Sequence, residues 1–142
     1  MTNEKIKVLF LDIDGVVNCS GTRQRSRGFI GIDPLMAFLV GKITLALPEL
    51  KVVLSSSWRH FDKGREEVEQ QVVPIFDVTL TVGTIRGDEI KEWLDRHPEV
   101  EKYAILDDDS DMLEEQKPNF FQTSWETGIT EEIMEAVIKH LK

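Results

Sequence analysis

The sequence lacks the features of a membrane protein, of a secreted protein and of a zinc-binding protein. Its 142 residues include a single cysteine, so no internal disulfide can form, which is typical of a reducing cytosol. No stretch free of Asp, Glu, Lys and Arg exceeds eight residues, which is too short for a membrane-spanning helix. The opening MTNEKIK lacks the apolar segment of a secretory signal. We therefore expect a cytoplasmic protein without a membrane partner.

Basic charge is also scarce. The chain carries 17 Lys and Arg against 26 Asp and Glu, a net charge of −9, which argues against general electrostatic binding of nucleic acid. A local exception is TRQRSRG, which places Arg23, Arg25 and Arg27 within five residues. This stretch is either a solvated loop or a clamp for the phosphate groups of a substrate. Cys19 and the three histidines are scattered along the chain, so no zinc site is expected.

Apolar stretches alternate with helical patterns along the chain, and no repeat or linker-like segment interrupts them. We expect a single domain over residues 1–142. A polar stretch dotted with glycine, residues 15–31, follows the first strand. The alternation predicts a three-layer, doubly wound α/β fold with a mainly parallel, five-stranded sheet. Strands are predicted at 6–11, 51–55, 77–82, 102–106 and 120–124, and helices at 34–47, 62–71, 87–96, 111–116 and 131–141.

Polar residues directly follow three of the predicted strands, in FLDID, VLSSSW and AILDDDSD. In doubly wound sheets ligands bind beyond the carboxyl ends of the strands, and neighbouring strands lie roughly 5 Å apart. Asp12, Ser55 and Asp107 are therefore expected to share one crevice. Carboxylates in one crevice repel each other unless a cation or shared protons relieve them. Oxygen ligands of this kind suit Mg²⁺, which also binds phosphate.

Such a crevice can support phosphoryl transfer. An aspartate beside a bound phosphate can attack phosphorus and give an aspartyl-phosphate, which water then hydrolyses. A second acid two residues later can protonate the leaving oxygen and then activate that water. A hydroxyl group and a cation can hold the phosphoryl oxygens while charge redistributes. Asp12 and Asp14 have the spacing that the first two roles need.

Four motifs in order then point to a family. DIDGVV, VVLSSSWR, a basic residue that opens a helix, and ILDDDSD resemble the haloacid dehalogenase (HAD) superfamily of phosphohydrolases over essentially the whole chain. The resemblance implies a Rossmann-like core in which Asp12 is the nucleophile and a Mg²⁺ ligand. It implies that Asp14 is the general acid and base, with its backbone carbonyl on the metal. Asp107 and Asp108 match the paired aspartates of the metal site.

The resemblance leaves two assignments open. The basic residue of the third motif is Arg86 or Lys91, and the place of Arg86 at the start of the predicted helix favours it. In the fourth motif, Asp109 and Asp111 offer further acids, and one of them can assist the metal through water. The remaining acids of this motif are expected to be solvated or to cap the short helix that follows.

The second motif contains three serines and an arginine. Ser55, the first hydroxyl after the apolar run, is the expected donor to a phosphate oxygen, and Ser56 and Ser57 compete for that role. The resemblance extends to the 3′-phosphatase domains of polynucleotide repair enzymes, which place an arginine shortly after this motif. Arg59 is therefore either a substrate-binding residue or a surface arginine.

The chain has no room for a substantial cap domain. About seventeen residues separate Gly15 from Asp33, and one predicted helix and one predicted strand lie between Arg59 and Arg86. The site should be open, which suits a large phosphorylated substrate such as a nucleic-acid end. A small phosphatase of nucleotides or sugars is the alternative. No obligate protein partner is evident.

Two other classes of protein compete with an enzyme. A response-regulator receiver also uses clustered aspartates, Mg²⁺ and an aspartyl-phosphate, but it would carry a lone aspartate after its third strand. Here the second acidic cluster follows the fourth predicted strand. A catalytically silent interaction domain is the other rival, and the intact acids oppose it, since a silent domain has no reason to keep repelling carboxylates together.

Overall fold

The computed structural model describes residues 4–142, which form a five-stranded sheet and a small separate hairpin. All neighbouring strands of the sheet pair in parallel, in the order β5-β4-β1-β6-β7, and the hairpin pairs β2 with β3. The strands are β1 (Ile6–Leu11), β2 (Arg25–Ser26), β3 (Phe29–Ile30), β4 (Lys51–Leu54), β5 (Asp77–Val78), β6 (Val100–Asp107) and β7 (Phe120–Gln122).

Helices cover both faces of the sheet, which confirms the predicted three-layer, doubly wound fold. None of the helices over residues 4–142 is both long and apolar enough to cross a bilayer. The helices are α1 (Pro34–Ala46), α2 (Gly64–Gln71), α3 (Arg86–Asp95) and α4 (Glu131–Leu141), and two 3₁₀ turns span Ser57–His60 and Glu114–Asn119.

The two faces of the sheet have separate apolar cores. On one face, Val40 of α1 and Val137 of α4 pack into a cluster with the alternate residues of the central strands. On the other, Ile90 and Trp93 of α3 pack into a cluster in which the rings of Trp93 and Phe10 meet edge to face, 5.5 Å apart. Each fully buried apolar side chain contributes roughly 1.5–3 kcal/mol. β1 is apolar throughout its buried half because both of its faces are covered.

Two helix starts follow from local sequence. The Asp33 side chain accepts a hydrogen bond from the Leu35 amide at 3.1 Å, and Pro34 occupies the first helical position of α1. Thr130 accepts a hydrogen bond from the Ile133 amide at 3.2 Å at the start of α4. These caps fix where the two helices begin.

Three local predictions differ from the structure by more than two residues at an end or by a whole element. The strand predicted at 77–82 is limited to β5, Asp77–Val78, because it lies at the sheet edge and pairs with β4 alone. The short helix after the fourth motif lies at Glu114–Asn119, three residues later than predicted. The polar stretch 15–31 contains the hairpin β2–β3, for which the sequence predicts no strand. This hairpin and the loops beside it are the only insertion between β1 and α1, so residues 4–142 contain no cap domain.

Candidate active site

The register of the sheet brings the first polar residue after each central strand to one edge. Leu11 pairs with Leu54 of β4 and with Leu106 of β6. Asp12, Ser55 and Asp107 follow these three residues directly. The Ser55 amide donates to the Leu11 carbonyl at 3.0 Å, and the Asp12 amide donates to the Leu106 carbonyl at 3.0 Å. The parallel sheet thus places the three side chains side by side, at the point where the strand order reverses.

Three carboxylates meet at this edge. Asp12, Asp107 and Asp108 each offer an oxygen within 4.8 Å of the others. Asp12 is 7% exposed and Asp107 is 1% exposed, so water can do little to screen their repulsion. Gly15 has φ at +83°, and a Cβ there would overlap the Asp108 side chain. Glycine is required at position 15 for both reasons.

Arg86 is the basic residue that faces the cluster. Its Nη1 atom lies 2.9 Å from Asp107 Oδ2 and 3.4 Å from Asp12 Oδ1. Burial acts to lower the pKa of Arg86, but the charges of Asp12 and Asp107 outweigh it, so the pKa is raised. Burial raises the pKa of Asp12, although the charge of Arg86 opposes the shift. Burial and the charge of Asp12 raise the pKa of Asp107 to about 8.

The donor set fits Mg²⁺. All three groups are carboxylates, and burial raises the pKa of Asp108 as well, which means that the charged forms of the cluster lack compensation. A divalent cation would supply it, and oxygen donors are the ligands that Mg²⁺ prefers. Asp12, Asp107 and Asp108 would hold the ion. The Asp14 side chain lies outside this group, and the bond from its backbone carbonyl to the metal stays a prediction.

The start of α3 fixes the place of Arg86. Ile85 precedes the helix and has no side chain that can cap it, so a residue from another segment satisfies the free amide groups. Asp111 accepts from the Arg86 amide at 3.1 Å through Oδ2 and from the Gly87 amide at 3.1 Å through its carbonyl. Lys91, the alternative third-motif residue, forms an ion pair with Asp95 at 3.2 Å and is half exposed. The structure therefore brings Arg86, and not Lys91, to the acidic cluster.

Behind Arg86 lies a buried acid that the sequence analysis missed. Glu89 Oε1 is 3.6 Å from Arg86 Nε and 3.0 Å from Arg59 Nη2. The Arg59 side chain is 5% exposed and also donates to the Ser56 carbonyl at 2.9 Å. Burial lowers the pKa of Arg59 against the charge of Glu89. In this geometry Arg59 reaches the site through Glu89, and its predicted contact with substrate stays a prediction.

Asp14 has hydrogen-bond partners of its own, apart from the three clustered carboxylates. Its Oδ1 atom accepts from Asn18 Nδ2 at 2.9 Å, and the Trp58 indole N–H lies 3.3 Å from both Oδ1 and Oδ2. The sequence analysis identified neither partner. Asn18 also accepts from the Gly15 amide at 2.8 Å, so it ties the Asp14 carboxylate to the loop after β1. The Asp14 carboxylate is thus held by Asn18 and Trp58 at the rim of the site.

The serines of the second motif have different surroundings. Ser55 is fully buried, and its Oγ atom has no hydrogen-bond partner within residues 4–142. An unpaired buried hydroxyl costs roughly 1–3 kcal/mol, which a bound phosphate oxygen would relieve. Thr79 Oγ1, after the neighbouring strand β5, is in the same condition. Ser56 Oγ already accepts from the Trp58 amide at 3.1 Å and caps the 3₁₀ turn there.

Two depressions adjoin the site on the side of the hairpin. The smaller, here the aromatic cavity, has a volume of about 220 Å³ and is bounded by Asp14, Arg27, Phe29, Trp58 and Phe61, with two serines and an isoleucine. The larger, here the outer groove, has a volume of about 810 Å³. Its basic residues are Arg25, Arg27 and Lys63, and its acidic residues are Asp62, Glu66 and Glu67.

The three arginines of the hairpin segment do not act as one group in this structure. Arg27 forms an ion pair with Glu67 at 3.2 Å, and Arg25 donates to the Thr22 carbonyl at 2.9 Å. Arg23 is exposed and borders neither the aromatic cavity nor the outer groove. Two of the three predicted clamp residues therefore border depressions beside the site, and Arg23 does not.

Comparison with known protein families gives a match over most of the chain. A family model described as the HAD domain in Swiss Army Knife RNA repair proteins matches residues 8–134. No curated protein matches the sequence. The matched range includes all four motifs, the hairpin and the first part of α4.

Proposed function

The chain belongs to the family of HAD domains of Swiss Army Knife RNA repair proteins, and from that premise we propose that it is a Mg²⁺-dependent phosphomonoesterase acting on phosphorylated polynucleotide ends. A phosphohydrolase of the HAD superfamily is the coarse assignment that the family gives. The ion, the covalent intermediate and the substrate are the finer parts of the proposal.

In the first step, an Asp12 carboxylate oxygen attacks phosphorus. The bond from Asp12 to phosphorus forms while the bond from phosphorus to the leaving oxygen breaks. Asp14 gives its proton to that oxygen, and the Trp58 and Asn18 hydrogen bonds keep the Asp14 carboxyl group turned toward the rim. The products of this step are the dephosphorylated alcohol and an aspartyl-phosphate at Asp12.

In the second step, Asp14 takes a proton from water, and the water oxygen attacks phosphorus. The bond from Asp12 to phosphorus breaks, which releases inorganic phosphate and restores the carboxylate. Ser55 Oγ donates to a phosphoryl oxygen throughout. Arg86 neutralises charge on the other phosphoryl oxygens. Glu89 forms an ion pair with Nε of Arg86 and so orients its guanidinium group.

Mg²⁺, when bound by Asp12, Asp107 and Asp108, supplies positive charge against the phosphoryl oxygens and against the carboxylates themselves. The chain's own part is to hold three acids together at the carboxyl edge of the sheet. Two of those acids are nearly inaccessible to solvent.

One observation carries the proposal. The nucleophile candidate, the paired acids, the basic residue and an unpaired buried hydroxyl converge at one point: Arg86 Nη1 reaches both Asp12 and Asp107, and Ser55 adjoins Asp12 in register. The four motifs therefore form one site, although Asp12 and Asp107 are 95 residues apart in the sequence. A silent interaction domain would gain nothing from this arrangement.

The test is a panel of phosphomonoesters assayed with Mg²⁺ and with excess chelator. It contains RNA and DNA oligomers with 3′- or 5′-phosphates, nucleotides, sugar phosphates and phosphopeptides. We expect Mg²⁺-dependent release of phosphate, with the highest kcat/KM on an oligomer end. A higher kcat/KM on a sugar phosphate or nucleotide would favour the small-molecule alternative, and undiminished hydrolysis in chelator would contradict the metal assignment.

A further inference from the structure

The aromatic cavity begins at the residue proposed to protonate the leaving oxygen. Asp14 forms one wall of it, and Trp58, which donates a hydrogen bond to Asp14, forms another. If Asp14 protonates the leaving oxygen, as proposed, the group attached to that oxygen must lie beside Asp14. This cavity is then open to that group.

The cavity offers flat, apolar surfaces. Phe29 is 70% exposed and Phe61 is 45% exposed, although both are large apolar side chains. The Arg27 guanidinium carbon lies 4.9 Å from the centre of the Phe61 ring and 5.4 Å from that of Trp58. Aromatic rings and a guanidinium plane are the surfaces on which nucleobases stack.

The backbone that presents Arg27 is strained. Arg27 has φ at 52°, in the left-handed region, and Gly28 follows with φ at 84°. Such a two-residue turn fits a hairpin, but its first position favours Asn, Asp or Gly, and another residue costs roughly 1–2 kcal/mol there. Within residues 4–142, Arg27 is the one residue other than glycine with a positive φ. Backbone strain of this kind concentrates at functional sites.

The aromatic cavity continues into the outer groove. Ser26, Arg27 and Phe61 border both of them. A single nucleoside in the aromatic cavity would therefore have open space behind it for the next nucleotides of a strand. The groove bears as many acidic as basic residues, so it would accommodate a strand without holding it by charge alone.

We propose that the aromatic cavity binds the nucleobase of the terminal, phosphate-bearing nucleotide of a strand, with Phe29 and Arg27 as the stacking residues. The inference rests on the proposed function and adds to it a subsite that selects the leaving group. A nucleotide suits the cavity better than a phosphotyrosine does. In phosphotyrosine the ring is bonded directly to the leaving oxygen, whereas the aromatic faces here lie beyond Asp14, where a ribose would separate them from it.

The test compares matched RNA hexamers with a 3′- or a 5′-phosphate. In each pair, the phosphate-bearing terminal residue is either a nucleotide or an abasic ribose. Affinity is measured with Asp12→Asn, which cannot turn over, and kcat/KM with the native chain. We expect the nucleotide end to be preferred on the end that the enzyme hydrolyses. Phe29→Ala should reduce that preference about 5- to 150-fold, the effect of losing one base stack, and Phe29→Tyr should restore it.

Phe38→Ala is the matched control, because Phe38 is 62% exposed but lies on α1, outside the aromatic cavity. It should leave the preference unchanged. Two further substrates distinguish a strand end from a free nucleotide and from a phosphoprotein. A nucleoside monophosphate should show the Phe29 effect with a lower kcat/KM than the hexamer, which has contacts in the outer groove. A phosphotyrosine peptide should be hydrolysed poorly.

Equal binding and turnover of nucleotide and abasic ends would overturn the inference, as would an equal loss on both ends in Phe29→Ala. Preference for the phosphotyrosine peptide would overturn it in favour of a protein substrate. The proposed function fails separately, if no phosphomonoester of the panel is hydrolysed. Turnover without a base preference would therefore reject the subsite and leave the phosphatase in place.

Discussion

Two regions meet at Asp14, and the chain builds them in opposite ways. The acidic edge, formed by Asp12, Asp107, Asp108 and Arg86, rests on the central parallel strands and the start of α3. The aromatic cavity rests on two-residue strands, a tight turn and a 3₁₀ turn, and its apolar rings are exposed. In the function proposed above, the chemistry therefore lies on the parallel sheet, and selection of the leaving group lies on an inserted hairpin that can vary without disturbing the sheet.

Removing the nucleophile should have the largest effect of all, since it stops the chemistry whatever the aromatic cavity binds. Asp12→Asn keeps the shape of the side chain but cannot form the aspartyl-phosphate. We expect kcat to fall by at least about 10⁴-fold on every substrate, large or small. Asp95, which is 65% exposed at the end of α3, is the control. Steady-state assays should show the same kcat for Asp95→Asn as for the native chain. Comparable losses in both variants would assign the acids a general electrostatic role.

Asp14 lies at the boundary of the two regions and should show the next largest effect. Asp14→Asn removes the proton-transfer group, so kcat should fall about 10²- to 10⁴-fold. Trp58→Phe removes only the indole N–H that lies 3.3 Å from both carboxylate oxygens, and a loss of about 2- to 12-fold is expected, the worth of one hydrogen bond. A fall below about threefold in Asp14→Asn would make Asp14 a structural residue.

The arginines of the hairpin segment, unlike the acidic edge, should affect only substrates that carry further phosphates. Replacing Arg23, Arg25 and Arg27 together with alanine should lower kcat/KM for a phosphorylated oligomer about tenfold, because exposed ion contacts are weak individually. The loss should shrink with added salt and should be small for an alkyl phosphate. The control replaces three exposed lysines, Lys5, Lys102 and Lys139, which matches the change in net charge. An equal loss on both substrates would place one of the arginines at the reacting phosphate.

A further effect is thermodynamic, is read from stability rather than activity, and is confined to the acidic edge. The pKa of Asp107 is about 8 in the folded chain against 3.8 for an ordinary aspartate, because burial and the charge of Asp12 raise it. Between about pH 4 and pH 8 the folded chain therefore retains a proton that the unfolded chain has lost. In chelator, the free energy of unfolding should accordingly fall as the pH rises through that window.

Melting temperatures at several pH values measure this effect. Mg²⁺ binds the ionised carboxylates, so its stabilisation should grow with pH over the same window. Asp107→Asn should flatten the pH dependence and abolish the response to Mg²⁺, while Asp95→Asn should change neither. A Mg²⁺ response that survives in Asp107→Asn would place the metal elsewhere.

The same contrast explains what the sequence could predict. β1 and its following Asp12 are encoded locally, in a continuous apolar run that ends in DIDG, and the parallel register then carries Ser55 and Asp107 to the same edge. Arg86 was favoured over Lys91 because it begins a helix, and the structure gives it the contacts with Asp12 and Asp107. Buried strands and their ends leave a clear pattern in the sequence.

Residues that act through long-range contacts left no such pattern. Trp58 is 44 residues from Asp14 along the chain. Asp111 is 25 residues from Arg86, whose amide donates a hydrogen bond to it. Glu89 was detectable as an acid three residues after Arg86, but its burial depends on Arg59 from another segment. The hairpin was missed because its turn begins with an arginine in a conformation that sequence patterns reserve for Asn, Asp or Gly.

The central claim is that Asp12 becomes covalently phosphorylated while the aromatic cavity serves only the leaving group. The direct measurement is rapid acid quench of the native chain during turnover of a phosphorylated oligomer, followed by mass spectrometry of its peptides. We expect one phosphoryl group on Asp12, which is absent in Asp12→Asn and longer-lived in Asp14→Asn, where water is not activated. A phosphoryl group on Ser55, or turnover at full rate with no phosphorylated peptide at any quench time, would contradict it.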